Sequence, residues 1–523
     1  MNKFLLFGLL ALLSFQSIPL KAEIFLAADS VKVKTVQIDS SFLKPFNNKL
    51  LSAFYKLNGN KTAWMHVNAT RKLLLLALNN CSEEGLNPKE YDLKKLQFYE
   101  SEFELLSDRE LIDYDVLLTL KLQKYIAQIS NGRFNPKVLY RNWDLKENKI
   151  DINSKLASFQ KGDSLSVQIE NLKPNHIQYK SLKKALQLLD SYPEDTIECI
   201  EYTAMLDKYS CSPSLLQIKQ KLIYWKDLEP AVVLDSSYND LTFAAVKRFQ
   251  KRHGLLADGI IGRKTVEALN FSKKRRREQV IVNLERWKWF PRNLGSHYIV
   301  VNIPEYNLKV VKNKDTIEVK NVVVGQIARQ SVVLSSTFSN IILNPTWTVP
   351  PTILEEDLLP AATKKSTYFA TRNITIYDLY ENVVSPSNWN PEKYKTYRYV
   401  QSPGDENSLG NVKFNFPNHY SVYLHDTNHR DLFSRNIRSL SSGCIRVENP
   451  LPLAQYMLND PKRWSMEKIC DVIATRKTTS IPLREKINIH QLYCTAWMDS
   501  VGILQFRADI YNLDDELYEK LGN

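Results

Sequence analysis

HYIVVNIPEYNLKVV, residues 297–311, is where the period of this chain changes. Apolar residues alternate there, or run together in a β-branched block, on both sides of Pro304, as strands do. Three later stretches behave alike: TIEVKNVVVGQ (316–326), NIILNPTWTVP (340–350) and YSVYLHDT (420–427). A mostly-β domain over residues 296–478 is expected. Upstream, apolar residues recur at three and four positions, so the whole chain reads as multidomain α+β.

The upstream half divides in two. Residues 40–200 read as a helical scaffold domain. LLLLALNNCSEEGLNPKEYDL (73–93) and DYDVLLTLKLQKYIAQISNGRFNP (113–136) carry helical spacing, and Gly85 and Gly132 stand where helices should end. No catalytic constellation shows in this part. Residues 212–271 read as a three-helix module. SPSLLQIKQKLIYWKDL (212–228) is one amphipathic helix. In the next, Asn239 or Asp240 is the cap, and Leu241, Ala245, Val246 and Phe249 are the expected inner stripe. Asp258-Gly259 makes a turn, and Gly262 permits a tight entry into the last helix. VIVNLERWKWFPRN (280–293) is a further helix, ending at Pro291.

Downstream, residues 351–403 form an insertion rich in Pro, Tyr and Asn, too long for an ordinary connection and lid-like in character. Residues 486–523 read as a hairpin around DSVG (499–502) and a short terminal helix, packed on the β domain.

The first 22 residues, MNKFLLFGLLALLSFQSIPLKA, have one early Lys, an apolar run and a small-residue exit. This is the layout of a secretory signal peptide, and the run is too short to span a bilayer comfortably. The chain is therefore expected to be exported to the periplasm or cell envelope, peripheral to a membrane at most. Six cysteines in 523 residues are sparse for a disulfide framework, although Cys199 and Cys211 are close enough in sequence to pair. No CxxC or Cys/His cluster has zinc spacing, so no metal and no cofactor is expected. A net charge of +13 implies an acidic partner. The KKRRR run (273–277) reads as a solvated helix start, with anionic wall or headgroups as the functional alternative; the export signal argues against nucleic acid.

Chemistry concentrates in SSGCIRV, residues 441–447. Cysteine attacks as thiolate, and a histidine can take its proton and remain as imidazolium. Of eight histidines, His425 stands out at the end of a strand-like run, while His419 and His429 read as surface residues. Gly443 suits backbone that approaches a substrate, so that the amides of Gly443 and Cys444 hold an oxyanion. Arg446 can grip a carboxylate in bidentate fashion or form a structural ion pair. Ser442, Trp347 and Tyr423 are further candidates for lining the cleft.

YLHDT followed by SSGCIRV resembles the signature of the YkuD-type L,D-transpeptidases. Most members carry histidine before the glycine, where this chain has Ser442; the long, YcbB-like branch carries Ser-Ser-Gly-Cys. NLERWKW, NPTWTVP and SPGDENSLGNVKFNFPN resemble that branch in the same order, and AVKRFQ, GLLADGIIG and TVEALN resemble its peptidoglycan-binding module. The resemblance implies a helical scaffold, a wall-binding module and a YkuD-type catalytic domain with an insertion. It implies Cys444 as nucleophile, His425 as general base and acid, and a thioester formed on a stem peptide with loss of D-alanine. A second diaminopimelate then attacks, giving a 3→3 cross-link. The partners implied are peptidoglycan stem peptides and glycan, with other cell-wall synthesis enzymes as a further class. An L,D-carboxypeptidase on the same site and a non-catalytic wall-binding protein are the alternatives.

Overall fold

The computed structural model describes residues 34–161, 164–365 and 367–522; the expected signal peptide lies outside them. The protein is multidomain α+β: a helical N-terminal region, the helices of the peptidoglycan-binding-like module, and a curled, mostly-β domain.

The N-terminal helices close over a core of their own. Its longest helix, Asp108–Asn131, starts on a capping box of Ser107 and Glu110 and ends at Gly132, at φ 76°. Fully buried Asp115 accepts hydrogen bonds from the Tyr55 hydroxyl at 2.6 Å and from the Ala63 and Trp64 amides at 2.8 Å. That satisfied carboxylate ties the helix to the chain around Trp64.

A second core runs through the rest of the molecule, and the helix Lys273–Trp289 is its spine. Every residue from Gln279 to Trp289 is buried, the mark of an interior helix. It contacts the helices Asp108–Asn131, Ile177–Asp190 and Asp514–Leu521 and the strand Ala496–Met498. Its interior charges are matched, Arg286 to Asp514 at 2.5 Å and Lys288 to Glu285 at 3.2 Å. The helix expected over 280–293 therefore begins earlier, and the KKRRR run is its first turns. Of that run only Lys274 is exposed. Arg276 is buried; Lys273 bonds the Tyr192 carbonyl and Glu194; Arg275 pairs with Asp515 and Glu278; and Arg277 pairs with Asp190. The charges dock a helix.

In the module, Asn239 caps the helix Asp240–Arg252 by accepting from the Thr242 amide. The inner stripe is Thr242, Ala245, Val246 and Phe249, one helical face at i, i+3, i+4 and i+7. Leu241 is not part of it: one position earlier, it turns outward and is 62% exposed. The helix expected over 212–228 spans Ser214–Tyr224.

The β domain is a curled 12-stranded sheet. Along its path lie Trp143–Asp144, Val333–Thr337, Asn488–Leu492, His297–Asn302, Asn307–Lys312, Asp315–Gly325, Ile445–Val447, Leu424–His425, Val412–Asn415, Asn340–Leu343 and Thr479–Pro482; Ser439–Ser441 pairs with Asp315–Gly325 off the path. Val333–Thr337 and Asn340–Leu343 are separated by two residues yet stand second and tenth along it, so the sheet must wrap round. Trp143–Asp144, from the helical half, adds a parallel strand that no sequence pattern announced. YSVYLHDT contributes only Leu424–His425 to the ladder, because Asn418 and a left-handed Ser421 hold the preceding residues in a turn. The tail forms the hairpin Ala496–Met498 with Leu504–Phe506 and the helix Asp514–Leu521.

The insertion has its own four-stranded sheet, ordered Trp347–Thr348, Arg398–Gln401, Ile374–Tyr377, Val383–Val384. A separate core of Trp347, Leu354, Phe369, Ile376 and Tyr399 fills it.

Candidate active site

Leu424–His425 and Ile445–Val447 are neighbouring parallel strands, with Leu424 opposite Ile445 and His425 opposite Arg446. Side chains alternate along strands, so Cys444, two residues before Arg446, shares a sheet face with His425. The Tyr423 amide donates to the Cys444 sulfur, and the Tyr423 ring lies 5.7 Å from the His425 ring, centre to centre. The thiol is half-buried and His425 is buried. The structure thus brings Cys444, His425, Tyr423 and Arg446 together; His419 and His429 are exposed away from them.

The imidazole is oriented by its own chain. His425 Nδ1 bonds the Asp426 carbonyl oxygen. A carbonyl only accepts, so Nδ1 carries the proton and Nε2 is the basic nitrogen.

The turn that presents Cys444 is braced from several directions. Gly443 sits at φ 115°, a region that favours glycine. Its amide donates to Ser441 Oγ at 3.2 Å, and Ser441 Oγ donates to the Cys444 carbonyl at 2.6 Å. Ser331 Oγ donates to the Gly443 carbonyl at 2.8 Å, and the Ser331 amide donates to the Tyr511 hydroxyl at 3.0 Å. Sequence reasoning found neither Ser331 nor Tyr511, since a single Ser or Tyr so far from the cysteine carries no local signal.

Burial sets the resting charges. It lowers the His425 pKa to about 3, and Arg446 and Lys413 press the same way. It raises the Cys444 pKa, with the Tyr423 amide, Lys413 and Arg446 opposing. Both shifts work against the imidazolium–thiolate pair anticipated from the sequence and favour a neutral thiol and imidazole, with the proton moving as attack proceeds.

Lys413 was also missed. It stands directly opposite His425 on Val412–Asn415, with its ammonium 3.8 Å from the centre of the Tyr423 ring. Arg446 has no carboxylate partner among the described residues, so the structural ion pair is not formed, and its buried Nε has no hydrogen-bond partner.

The other cleft candidates face the insertion. Trp347 is buried in the insertion core and hydrogen-bonds the side chain of Tyr423. Ser442 is exposed, and its hydroxyl accepts from Arg329 at 2.9 Å. Arg329 in turn pairs with Glu356 at 2.5 Å and Asp357 at 2.6 Å, on the π-helical turn Leu354–Leu358 that opens the insertion. One guanidinium thus clips the insertion to the residue two before the nucleophile. Arg329→Ala is expected to raise amide hydrogen exchange across 351–362 by about tenfold or more, while the melting temperature moves by only a few degrees, because exposed pairs contribute little to global stability. Unchanged exchange there would show that the clip holds nothing.

All six cysteines are free thiols, so Cys199 and Cys211 are not bridged. Among the described residues no group of three His, Cys, Asp or Glu is placed to hold a metal ion, and no helix is long and apolar enough to cross a membrane. A cavity of about 910 Å³ lies away from Cys444, between the module's Leu255–Gly262 turn and the β domain at Tyr306 and Ser439.

Three stretches of the chain match known families. Residues 296–469 match the L,D-transpeptidase catalytic domain, YkuD; residues 212–269 match the family described as "Putative peptidoglycan binding domain"; and residues 49–186 match the Scaffold domain. In chain order, the matches run from the Scaffold domain through the peptidoglycan-binding domain to the L,D-transpeptidase catalytic domain. A curated relative from Haemophilus influenzae, named "Putative L,D-transpeptidase", is 39% identical over 222 residues, 42% of this chain and 45% of the relative's length. The chain thus matches less than half the length of that relative. Among solved structures, an L,D-transpeptidase from Xylanimonas cellulosilytica is 13% identical, covering 56% of this chain and 99% of that one, with a TM-score of 0.19. One from Stackebrandtia nassauensis is 14% identical, covering 55% and 94%, with a TM-score of 0.22. Scores this low support no inference.

Proposed function

We propose that this chain is an exported cysteine acyltransferase that forms 3→3 cross-links in peptidoglycan. The observation that carries the reading is the pairing of Cys444 and His425 on one sheet face, with Nδ1 tied to a backbone carbonyl so that Nε2 is the base. The catalytic-domain match and the relative's name support the reaction class. The peptidoglycan-binding domain supports the wall as partner, and the N-terminal leader pattern supports export to the periplasm or envelope.

Cys444 Sγ attacks the carbonyl between diaminopimelate and the terminal D-alanine of a tetrapeptide stem, and Nε2 takes the thiol proton. The Gly443 amide already donates to Ser441, so the Cys444 amide is assigned the larger share of the oxyanion. As the intermediate collapses, the C–N bond breaks and Nε2 returns the proton to the leaving amine. D-alanine departs and the thioester remains. The side-chain amine of a second diaminopimelate attacks the thioester, its proton passes to Nε2, and Cys444 is released as thiolate and reprotonated. Arg446 grips a stem-peptide carboxylate, and Tyr423, backed by Trp347, borders the cleft beside the imidazole. Ser442 lies at the insertion side, where Arg329 holds it.

Incubation of the purified protein with tetrapeptide muropeptides tests this by mass. Dimers that have lost one alanine are expected. Trimmed tripeptides without dimers would make the enzyme a carboxypeptidase, and no product at all would leave only a wall-binding protein.

A further inference from the structure

Three residues stand abreast across three adjacent strands. Lys413 is opposite His425, and His425 is opposite Arg446. Residues in register on neighbouring strands share a face, so the base is flanked by a cation on each side, with Cys444 in the turn that leads into the Arg446 strand. Neither cation is neutralised by a carboxylate among the described residues. Lys413 is half-buried and rests against the Tyr423 ring at 3.8 Å, and Arg446 Nε is buried without a partner. Partly desolvated cations without counter-ions are costly unless something anionic arrives to meet them.

We infer that Lys413 binds the free carboxylate of the residue that leaves, and so restricts Cys444 to the last residue of a peptide. This rests on the acyl-transfer reading above and deepens it. Order along the row gives the assignment. The acyl carbon must sit over Cys444, and the departing nitrogen over His425, which protonates it. The leaving residue's carboxylate carbon is two bonds further, roughly 2.5 Å. The strand bearing Lys413 is one spacing on, roughly 4.8 Å, and a lysine side chain spans the remainder. Arg446, on the strand that the nucleophile's turn leads into, lies on the acyl side and is left for a carboxylate of the retained stem. A carboxylate on the leaving residue then meets a positive charge, whereas a chain continuing past that residue brings a neutral amide and leaves the ammonium unpaired. Tyr423, in contact with both Lys413 and His425, fixes the spacing between them.

The test compares two donors with the same stem, one ending in D-alanine and one in D-alaninamide, with release of the terminal residue read by mass. Wild type is expected to prefer the free acid in kcat/KM by about 10- to 100-fold, the range of one charge-assisted contact. Lys413→Gln should lose that preference, slowing about 10- to 100-fold more on the acid donor than on the amide donor. Lys413→Arg should retain the preference. Alkylation of Cys444 by neutral iodoacetamide, read on the Cys444 peptide, should match wild type in Lys413→Arg and slow in Lys413→Gln, because Lys413 is one of the charges that lower the thiol pKa; that loss is common to both donors and leaves their ratio as the readout. A preference that survives in Lys413→Gln overturns the inference. So does an equal loss on both donors, which would make Lys413 a support for the thiol alone. Wild type active on both donors without preference overturns this inference alone, and wild type active on neither overturns it together with the acyl-transfer reading.

Discussion

Cys444→Ser is expected to lower product formation from a tetrapeptide donor by about 10⁶-fold, the scale seen when a nucleophile that acts as a unit with its base is lost. Even with its pKa raised by burial, the thiol remains far more acidic than a serine hydroxyl. The substitution is nearly isosteric and the sulfur's one contact named above is with the Tyr423 amide, so the melting temperature should barely change. A serine variant within tenfold of wild type would eliminate the thioester and every step built on it.

Iodoacetamide alkylation of Cys444 should climb about 1,000-fold between pH 6 and pH 9, ten per unit, with no plateau at neutral pH. The sign follows from the charges. Burial, Arg446 and Lys413 keep His425 neutral down to about pH 3, so no imidazolium stabilises a resting thiolate. Burial also raises the thiol pKa above its usual value, so the thiolate fraction grows throughout this window. A Cys–His ion pair would instead hold the rate level from about pH 5 to 7. Such a plateau would overturn the neutral resting pair. The measurement is read on the Cys444 peptide, because Cys199, Cys211 and Cys470 are exposed and react as well.

The parts of the site legible in sequence were those that one short motif carries. Cys444, Gly443 and Arg446 lie within four residues, and His425 ends an apolar run, so strand logic alone brought them forward. Lys413 was not legible. Between Val412 and Phe414 it reads as the outward residue of an alternating strand, and only sheet register sets it against His425. Arg329 and Tyr511 act across more than 100 residues, through contacts that no local pattern encodes. The helical half was legible from its spacing, and its errors have local causes. Leu241 missed the inner face by one position of helix rotation. KKRRR looked solvated because its acidic partners, Asp190, Glu194 and Asp515, lie on other elements. The ladder formed by Trp143–Asp144 depends on a crossing between halves of the chain that two residues cannot signal.

The interior helix Lys273–Trp289 belongs to none of the three matched regions, which end at residue 269 and resume at 296. Yet each of them leans on it or on its neighbours. The chain consequently has no clean seam. A fragment beginning at residue 296 leaves behind the wall against which the sheet and the terminal helix are packed, and excision of 212–271 strips one side of the same wall. Recombination that trades one module for another must carry this helix along with its partners, Arg286 with Asp514 among them. What looks in sequence like a row of interchangeable parts is heritable only as a set.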